Sequence, residues 1–510
     1  MPSSIIRGKY VVKRVINQWS SEIITDGAIF QENGSIVEVG KYEDLRIKYG
    51  KAEVIGNGNQ IVLPGLINSH HHVGLTPFQL GNIDLPLEPW IAIRLANRDV
   101  DNYLDTMYCA LHMIENGITT VMHNHATWRK PSNQSFQESA RDVLTAYQDS
   151  GMRVAFSFSH RDQNHFVYED DNRFLSTLPK DLADKLSVRL ANSQLSPDAY
   201  FTIFSDVSNT FSHDPRINVF LSPGNVQWCS DSLLEEIKLV ARKHNTGIHI
   251  HLQETIYQKL YGYKTWGKTP LAHLAEIDFL GKELSCAHGV WVTKSDIDMI
   301  ANTGTMVVHN ASSNLRLKSG IAPVNHMNNK GVVVAIGIDE AGLNDDKDML
   351  QEMRLVSKIH REPGITSPHP TSHTVLHMAT ANGSKATFFD DIGIIAPGNR
   401  ADIILVDLDH ITKPYLDPET NIVDALLYRG RGLDVNTTIV DGNVIMKDRI
   451  FTRVDKQHIW SELSHWLSKD LTPEELERKE VSRTLLPHVE DYYKKWGFTS
   501  DDPFYFFNQT

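Results

Sequence analysis

The chain has 510 residues, with 50 lysines and arginines against 63 aspartates and glutamates, a formal charge of −13, and 24 histidines. This length exceeds the roughly 250–300 residues of a single hydrophobic core, so we expect one large domain with additional modules. Hydrophobic residues make up 41% and charged residues 22%, as in globular rather than disordered chains. The acidic balance disfavours nucleic acid and anionic membranes as partners, because both need a basic surface.

The cysteines and the N-terminal segment narrow the class of protein further. Cys109, Cys229 and Cys286 form no CxxC pair, so neither a disulfide framework nor a zinc ribbon is expected. The N-terminal segment has no apolar signal region, and no run reaches the roughly 18 apolar residues of a membrane span. We therefore expect a cytoplasmic enzyme or scaffold without a membrane partner.

Both ends of the chain contain β-rich stretches. In the first of them, Asp26-Gly27 and Asn33-Gly34 predict hairpin turns. A similar stretch returns late in the chain, with Asp441-Gly442 as the predicted turn. We expect residues 1–63 and 396–452 to form one small β-sandwich domain.

Between these stretches, apolar strands alternate with amphipathic helices. The eight predicted strands span residues 65–72, 117–125, 152–160, 217–223, 246–254, 283–289, 305–311 and 332–340. Helices are predicted between them, for example at 101–116 and 231–245. Because parallel strands need crossover helices, the alternation predicts an α/β fold, a (β/α)8 TIM-like barrel over residues 64–395. An open doubly wound sheet is the alternative, but no nucleotide-binding GxGxxG or GxxxxGK[ST] motif follows the first strand.

Residues 453–510 are polar, helical in pattern, and end in the aromatic segment DPFYFFNQT. We expect them to form a C-terminal helical extension. It could cap the barrel or contact a second subunit, although a packed pair of surface helices is the simpler interpretation. A homodimer or higher homo-oligomer is our expectation for the assembly.

Histidines collect at the C-terminal ends of the predicted strands, where the active sites of barrels are built. Ten of the 24 lie there, namely His70, His71, His72, His123, His125, His160, His249, His251, His288 and His309. Residues two apart on a strand face the same side, so an HxH motif can bind one cation, although each motif alone is equally compatible with a structural pair.

Two carboxylates accompany these histidines. Glu254 follows the fifth strand, and Asp339 ends an otherwise apolar strand, where an unpaired carboxylate would be costly. Three imidazoles and one carboxylate with an open position are typical of a catalytic metal site. Zn²⁺ and Fe²⁺ both suit such ligands.

Several segments resemble the metal-dependent amidohydrolase superfamily, namely PGLINSHHH (64–72), HLQET (251–255), AHG (287–289), HNASSNLRLKSGIAPV (309–324), IGIDEAGLNDD (336–346) and GIIAPGNRADIILVD (393–407). The chain is most similar to the branch that contains cytosine, guanine and adenosine-type deaminases and triazine hydrolases. By motif order the resemblance covers about residues 20–450, and these motifs are specific.

The resemblance implies one divalent metal ion, with zinc as the first choice and iron as the alternative. Its ligands would be His70, His72, His251 and Asp339. Glu254 would be the proton shuttle, His288 would contact the attacking water, and Asp339 would also take a proton from that water. Binuclear relatives carry a lysine at the end of strand four, where this chain has LSPGNVQW, so a single metal is expected.

The implied reaction is hydrolytic deamination of an amino-substituted nitrogen heterocycle of the purine, pyrimidine or s-triazine type, with release of ammonia. The same site could instead hydrolyse another bond, such as a carbon–chlorine or alkylamine bond of a triazine, a urea or a cyclic amide. A non-catalytic scaffold that retains the barrel is the third interpretation.

Candidate substrate contacts are Trp90, His125, Gln227 and His309. Trp90 lies in IDLPLEPWI (83–91), which resembles a family loop that carries a substrate-contacting tryptophan. We expect loops 73–100, 123–135 and 160–180 to shape the pocket.

The chain departs from the family pattern at three places near the site. Ala311 replaces the proline of the usual HNPxSN motif, and Glu340 follows the metal aspartate where glycine is more usual. His123 and His125 end the second strand, where the family pattern has no such pair. Each departure touches the expected pocket wall and leaves the identity of the substrate open.

Overall fold

The structure is a computed structural model that describes residues 3–72, 74–126, 133–340 and 342–497. Its strands are β1 (Ser4–Asn17), β2 (Ser20–Glu32), β3 (Ser35–Lys41), β4 (Glu53–Ile55), β5 (Gln60–Pro64), β6 (Leu66–His71), β7 (Ile118–Ala126), β8 (Arg153–His160), β9 (Ile217–Pro223), β10 (Ile248–Leu252), β11 (Leu284–His288), β12 (Met306–His309), β13 (Val334–Ile336), β14 (Ile403–Asp407), β15 (Val435–Val440), β16 (Asn443–Lys447) and β17 (Ile450–Phe451).

The helices are α1 (Tyr42–Lys48), α2 (Leu87–Ile93), α3 (Asn102–Glu115), α4 (Asn133–Ser150), α5 (Asp171–Leu175), α6 (Lys180–Ser193), α7 (Pro197–Phe211), α8 (Asp231–His244), α9 (Ile256–Trp266), α10 (Pro270–Glu276), α11 (Lys294–Thr303), α12 (Ala311–Arg316), α13 (Val324–Asn329), α14 (Met349–Ile359), α15 (Ser372–Met378), α16 (Ala381–Ala386), α17 (Asp409–Thr412), α18 (Ile422–Arg429), α19 (Lys456–Ser468) and α20 (Pro473–Lys494). Short 3-10 helices span Arg94–Ala96, Val226–Trp228 and Gly432–Asp434. No helix in the described part of the chain is both long and apolar enough to cross a bilayer.

Strands β6 to β13 form one parallel sheet in sequential order. The N–H of Asp339, just after β13, donates to the carbonyl oxygen of His70 on β6 at 2.9 Å, so the first and last strands adjoin. The predicted (β/α)8 barrel is thereby confirmed. Each barrel strand lies within its predicted range except β7, which extends by one residue to Ala126.

A second sheet combines both ends of the chain, with the strand order β17-β16-β15-β14-β5-β1-β2-β3 and with β4 paired to β1. The antiparallel pairing of β14 with β5 joins the two ends, and Ile403 lies opposite Pro64. This sheet confirms a composite β module beside the barrel. The exact boundaries at 63/64, 395/396 and 452/453 stay predictions.

The predicted hairpin turn at Asp26-Gly27 is wrong. Both residues lie inside β2, where Gly27 pairs with Gly8 of β1, and the chain reverses between Asn17 and Ser20 instead. Asp26 adopts a positive φ of 49° within the strand. A Cβ on Gly27 would lie 2.8 Å from Val11 Cγ2, so glycine permits close packing there rather than a turn. The predicted turns at Asn33-Gly34 and Asp441-Gly442 do separate consecutive paired strands.

A buried ion pair connects the barrel to the small sheet. Arg153 at the start of β8 donates from Nε and Nη2 to Asp402, just before β14, at 2.8 and 3.1 Å. Each side chain is only 2% exposed, and Asp402 also accepts the N–H of Asp441 at 2.7 Å. The barrel and the sheet therefore share a desolvated polar contact.

The C-terminal helix α20 packs on the loops at the mouth of the barrel. Its Val481, Leu485, Val489 and Tyr493 share a hydrophobic cluster with residues of the loop that follows β8, including Tyr168. This packing supports the capping interpretation of the extension rather than a helix pair on the outer surface. Residues 498–510, with the segment DPFYFFNQT, and residues 127–132 of the predicted pocket loop lie outside the described residues.

Candidate active site

Four of the predicted site residues converge where β6, β10 and β13 end. Oδ1 of Asp339 lies 3.5 Å from Nε2 of His70 and 3.4 Å from Nε2 of His72. Nε2 of His251 lies 3.0 Å from Nε2 of His72. The donor atoms of His70, His72 and Asp339, and those of His70, His251 and His288, each form a compact group that could hold a metal ion.

Local backbone geometry allows this close convergence. A Cβ on Gly337 would lie 2.8 Å from Cβ of His70, so only glycine lets the chain beyond β13 pass this close to β6. His288 and Asp339 both adopt left-handed backbone conformations, with φ of 77° and 61°. Such strain at non-glycine residues collects at functional sites, and here it occurs at the strand ends that carry site residues.

The hydrogen bonds of His72 and His251 direct their lone pairs towards a shared point. Nδ1 of His72 lies 2.6 Å from the carbonyl oxygen of Asn124, and Nδ1 of His251 lies 2.8 Å from that of Gly224. A carbonyl oxygen only accepts hydrogen bonds, so each Nδ1 carries the hydrogen and each neutral ring has a bare Nε2. Two bare nitrogens 3.0 Å apart repel unless a cation lies between them.

Buried polar atoms without hydrogen-bond partners lie at the same group of candidate ligands. Nε2 of His70 and Oδ1 of Asp339 are buried and have no hydrogen-bond partner among the described residues. On its other side, His70 Nδ1 lies 2.7 Å from Nε2 of His249, whose Nδ1 lies 2.7 Å from Oγ of Ser285. This chain of hydrogen bonds leaves Nε2 of His70 available as a ligand. The donor set therefore fits a divalent metal ion.

Burial sets the charge of these groups. Desolvation, followed by the neighbouring imidazoles, holds the pKa of His70 and His251 well below the ordinary value, so both rings are neutral. Burial alone would raise the pKa of Asp339, but the adjacent His72 and His288 lower it overall and keep the carboxylate ionised. Neutral imidazoles and a carboxylate are the forms that bind metals.

Glu254 and His288 lie beside this group. Nε2 of His288 is 3.6 Å from Oε2 of Glu254 and 4.0 Å from Oδ2 of Asp339. Nδ1 of His288 bonds to Oδ1 of Asn314 at 2.8 Å. Burial, reinforced by the charge of Asp339, raises the pKa of Glu254 well above its ordinary value, so Glu254 can carry a proton at neutral pH.

A cavity of about 190 Å³ opens onto the cluster. Its apolar wall includes Leu87 and Trp90 from α2, together with Phe166 and Trp228. The predicted contact Trp90 therefore lines the cavity that contains the candidate ligands. Aromatic walls of this kind suit a planar ring.

The Arg94 guanidinium lies 4.7 Å from the centre of the Trp90 ring and forms an ion pair with Glu340 at 2.6 Å. Glu340, one of the departures from the family pattern, thus helps to fix the wall that Trp90 forms.

The other three predicted contacts lie elsewhere. Nε2 of His125 bonds to Oγ of Ser139 at 2.7 Å, and Nε2 of His309 bonds to that of His360 at 2.9 Å. Gln227 and His309 are fully buried, and none of the three belongs to the described lining of the cavity. This placement counts against direct contact with a substrate in the cavity.

Sequence reasoning gave no role to several residues that the structure places at the site. His249 lies behind His70, and its HxH spacing with His251 was the available signal. His71 faces the helices, where its Nδ1 bonds to the carbonyl oxygen of Asp339 at 2.9 Å and its Nε2 lies 3.1 Å from Sγ of Cys109. No sequence motif marked the residues of α6 and α20 that line the cavity.

Comparisons with known proteins give matches over most of the chain. The sequence model of the Amidohydrolase family matches residues 61–445. A 5-methylthioadenosine/S-adenosylhomocysteine deaminase of Thermococcus onnurineus is 30% identical over 456 residues, which cover 88% of this chain and 95% of that relative. A 5′-deoxyadenosine deaminase of Methanobrevibacter smithii is 28% identical over 436 residues, which cover 85% and 91% of the two chains.

Solved structures share the fold. A zinc-bound adenosine deaminase from Xanthomonas campestris superposes with a TM-score of 0.76 at 22% identity, over 91% of this chain and 98% of the other. An atrazine chlorohydrolase from Arthrobacter aurescens, complexed with zinc, gives a TM-score of 0.75 at 21% identity, over 90% and 99%. At such identities the similarity establishes the architecture rather than the substrate.

Proposed function

Because the chain belongs to the amidohydrolase family, we propose that it deaminates an adenine nucleoside by metal-dependent hydrolysis. The chain is a hydrolase of carbon–nitrogen bonds other than peptide bonds, and its relatives are deaminases of adenosine-type compounds. The observation that carries the proposal is the convergence of unpartnered donor atoms beside the buried Glu254, whose pKa is raised.

One divalent metal ion completes the proposed site. Its ligands would be His70, His72, His251 and Asp339. Zinc is the first choice, since two similar structures contain it, and iron is the alternative. Such an ion would lower the pKa of water towards ~7 and would so supply the nucleophile at neutral pH.

The surrounding side chains would then move the protons. Asp339 accepts a proton from the attacking water, and neutral His288 orients that water through Nε2, because its Nδ1 is held by Asn314. Glu254 would donate its proton to the ring nitrogen beside the reacting carbon. It would then take up the proton of the new hydroxyl group and pass it to the departing amine, and the proton held by Asp339 would return to Glu254. Burial raises its pKa, which favours the protonated acid that this step requires.

The alternative reactions have less support. The curated relatives described above are deaminases, whereas the similarity to a chlorohydrolase extends only to the fold. A non-catalytic scaffold is disfavoured because the candidate ligands and both proton-transfer groups are present and converge.

An ammonia-release screen tests the proposal. The panel would contain adenine nucleosides, free purines, pyrimidines and amino-triazines, with metal content measured on the same preparation. We expect ammonia release from adenine nucleosides by metal-loaded protein, abolished by chelation and restored by zinc. Release of chloride or a larger amine would favour the alternative reactions. Protein that stays metal-free after reconstitution would favour the scaffold.

The same proposal places the enzyme in the cytoplasm as a homodimer or higher homo-oligomer. The acidic charge of the chain disfavours polyanionic partners, which leaves a small heterocycle as the expected ligand. Light scattering coupled to size-exclusion chromatography would measure the assembly, and a mass of 57.7 kDa would identify a monomer and contradict this part of the proposal.

A further inference from the structure

The direction of the Glu254 carboxyl group depends on the turn that joins β10 to α9. Its oxygen atoms have only long contacts, with Oγ of Ser319 at 3.4 Å and with Nε2 of His288 at 3.6 Å. The preceding Gln253 adopts a positive φ of 43°, which is strained for a residue other than glycine. Such a turn keeps its shape only when the surrounding groups hold it. The neighbours of the turn therefore determine where the carboxyl group points.

One of these neighbours is Glu88, on α2, which holds the residue after Glu254. The hydroxyl group of Thr255 donates to Oε1 of Glu88. The same hydroxyl oxygen accepts the N–H of Gln258 at 3.4 Å and caps the first turn of α9. Glu88 thus fixes the junction at which the strand ends and the helix begins.

A second path of hydrogen bonds runs from the backbone of Glu254 to the same carboxyl oxygen. The N–H of Glu254 donates to Oε1 of Gln258 at 2.8 Å, and Nε2 of Gln258 lies 3.4 Å from the hydroxyl oxygen of Tyr168. That hydroxyl group donates to Oε1 of Glu88 at 3.1 Å. A carboxyl oxygen can accept two hydrogen bonds, so Oε1 of Glu88 is the final acceptor of both paths. We refer to Glu88, Tyr168, Thr255 and Gln258 as the Glu88 network.

The Glu88 network is buried, and its side chains are at most 4% exposed. A carboxyl group in such a place is costly unless its hydrogen bonds are made. Yet Oε2 of Glu88 has no hydrogen-bond partner among the residues that the structure describes. A buried polar atom without a partner calls for an explanation other than stability, and a role at the neighbouring site is one.

Helix α2 connects this network to the wall of the cavity. Trp90, two residues after Glu88 on the same helix, lines the cavity, whereas Glu88 does not belong to its described lining. One short element therefore carries both the proposed wall for the substrate ring and the anchor for the turn of Glu254. A fixed distance between ring and acid is what proton transfer in a bound complex requires.

We propose that Glu88 is a positioning residue for Glu254. Its Oε1 anchors the turn through Thr255 and through the Tyr168–Gln258 path, and so directs the carboxyl group of Glu254 towards the ring nitrogen that receives the proton. The inference rests on the proposed deaminase function and adds to it a residue that contacts neither the metal ligands nor the cavity. Loss of the anchor should lower turnover without lowering the affinity for metal or substrate.

The kinetic experiment uses metal-loaded protein and the adenine nucleoside that the wild type deaminates fastest. Glu88→Ala removes the shared acceptor and should lower kcat by about 10- to 100-fold, because a displacement of ~1 Å at a reacting group has an effect of this size. KM and zinc content should change less than about 2-fold. Glu88→Gln should recover most of the lost kcat, since its amide oxygen accepts the same two hydrogen bonds. Unchanged kcat in Glu88→Ala, or a loss that lies in KM, would overturn the inference.

Tyr168→Phe tests one path alone and keeps the comparison open if Glu88→Ala does not fold. It should lower kcat by about 3- to 10-fold, because the path through Thr255 remains. Tyr103→Phe is the matched control, since the hydroxyl group of Tyr103 on α3 donates to Asp149 at 2.9 Å and lies outside the cavity lining. Equal kcat for Tyr168→Phe and Tyr103→Phe would remove Tyr168 from the network.

A double variant separates positioning of Glu254 from a general effect on the fold. In a Glu254→Gln background the proton donor is already lost, so adding Glu88→Ala should change kcat by less than about 3-fold. A further loss as large as that in the wild-type background would show that Glu88 acts on the cavity by another route, and would contradict the proposal.

Hydrogen exchange measures the anchor without turnover. The N–H of Glu254 should exchange about 2- to 10-fold faster in Glu88→Ala and Tyr168→Phe than in the wild type and in Tyr103→Phe, as expected for a weakened hydrogen bond. The N–H of Ile250, within β10, should exchange at the wild-type rate in every variant and so exclude global unfolding.

The exchange data also distinguish the two proposals. If the N–H of Glu254 exchanges at the wild-type rate in both network variants, the positioning role fails even when nucleosides are deaminated. If its exchange is faster in both variants while the wild type deaminates no adenine nucleoside, the deaminase proposal fails and the anchoring of the turn by Glu88 stands.

Discussion

At the scale of single residues, His249 illustrates how a buried side chain supports a proposed ligand. It connects His70 to Ser285 through two contacts of 2.7 Å, which fix the ring orientation of His70. We expect His249→Ala to lower the zinc affinity by about 10- to 100-fold, because the residues behind metal ligands set their orientation and basicity. Competition with a chromophoric chelator measures this affinity.

A matched control is His160→Ala. His160 is also a buried histidine at a strand end, but its ring stacks on Tyr200, 4.7 Å away, rather than on a ligand. The His160→Ala variant should therefore retain the zinc affinity of the wild type. Equal affinities for His249→Ala and the wild type would remove His249 from the metal site.

The proton-transfer role of Glu254 leads to a second prediction. Glu254→Gln keeps the shape of the side chain but removes its acid function, so turnover should fall by roughly 10²–10⁴-fold. Zinc content should stay at the wild-type level, because Glu254 is not among the proposed ligands. Glu276→Gln, at the end of α10 and paired with Lys268 away from the cavity, is the control. Near-normal ammonia release by Glu254→Gln would exclude this role.

The convergence of the proposed metal ligands was easier to predict than the position of the substrate contacts, for a physical reason. His70, His72 and Asp339 lie on or beside strand ends whose direction the barrel fixes, so spacing alone brings them together. His309 also ends a strand, but it turns into a contact with His360 that no local pattern shows. The position of Arg161 in the cavity lining depends on the path of the loop after β8, and residue spacing does not determine that path.

At the scale of secondary-structure elements, Glu88 joins α2 to two loops. Its Oε1 accepts hydrogen bonds from the hydroxyl groups of Thr255, beside Glu254, and of Tyr168, the latter at 3.1 Å. The residue is only 3% exposed, and burial raises its pKa from 4.5 to about 7. The folded protein therefore binds the Glu88 proton more tightly than the unfolded chain does.

This difference predicts a pH effect on stability. Between the unfolded and folded pKa values the folded state holds the extra proton, so the Glu88 contribution to stability falls as pH rises towards about 7 and then levels off. Glu88→Gln lacks this titration. We expect its free energy of unfolding, relative to the wild type, to rise by about 2 kcal/mol between pH 5.5 and pH 8. Urea unfolding of both proteins at pH 5.5 and at pH 8 measures this change. A difference in stability between variant and wild type that does not depend on pH would contradict the prediction.

Secondary-structure elements could be predicted from the sequence where several local signals agreed. The apolar run at 217–223 became β9 with the predicted limits, because strand propensity and turn residues coincide there. At Asp26-Gly27 the local turn signal conflicted with the long-range pairing of β1 and β2, and the pairing prevailed. Packing of α20 depends on residues more than 300 positions away, which no window on the sequence covers.

At the scale of the whole molecule, the Arg153–Asp402 pair holds the barrel against the small sheet. Asp402→Asn would leave a buried guanidinium without its counter-charge, which costs about 3–5 kcal/mol. We expect a matching fall in the urea midpoint. Asp298→Asn, which breaks the exposed pair with Lys330, should cost at most ~1 kcal/mol. Equal midpoints for the two variants would show that the buried pair does not stabilise the junction.

Helix α20 completes one wall of the cavity and is the last of the described helices to be synthesised. Leu485 lines the cavity, Tyr493 accepts the backbone N–H of Tyr168 at 3.1 Å, and Ser482 donates to the carbonyl oxygen of Ala92 at 3.0 Å. A ribosome-bound chain can carry every proposed metal ligand while this wall is still missing. Metal binding should therefore precede substrate selectivity during synthesis, and we expect nascent chains stalled before Pro473 to bind zinc without discriminating among nucleosides.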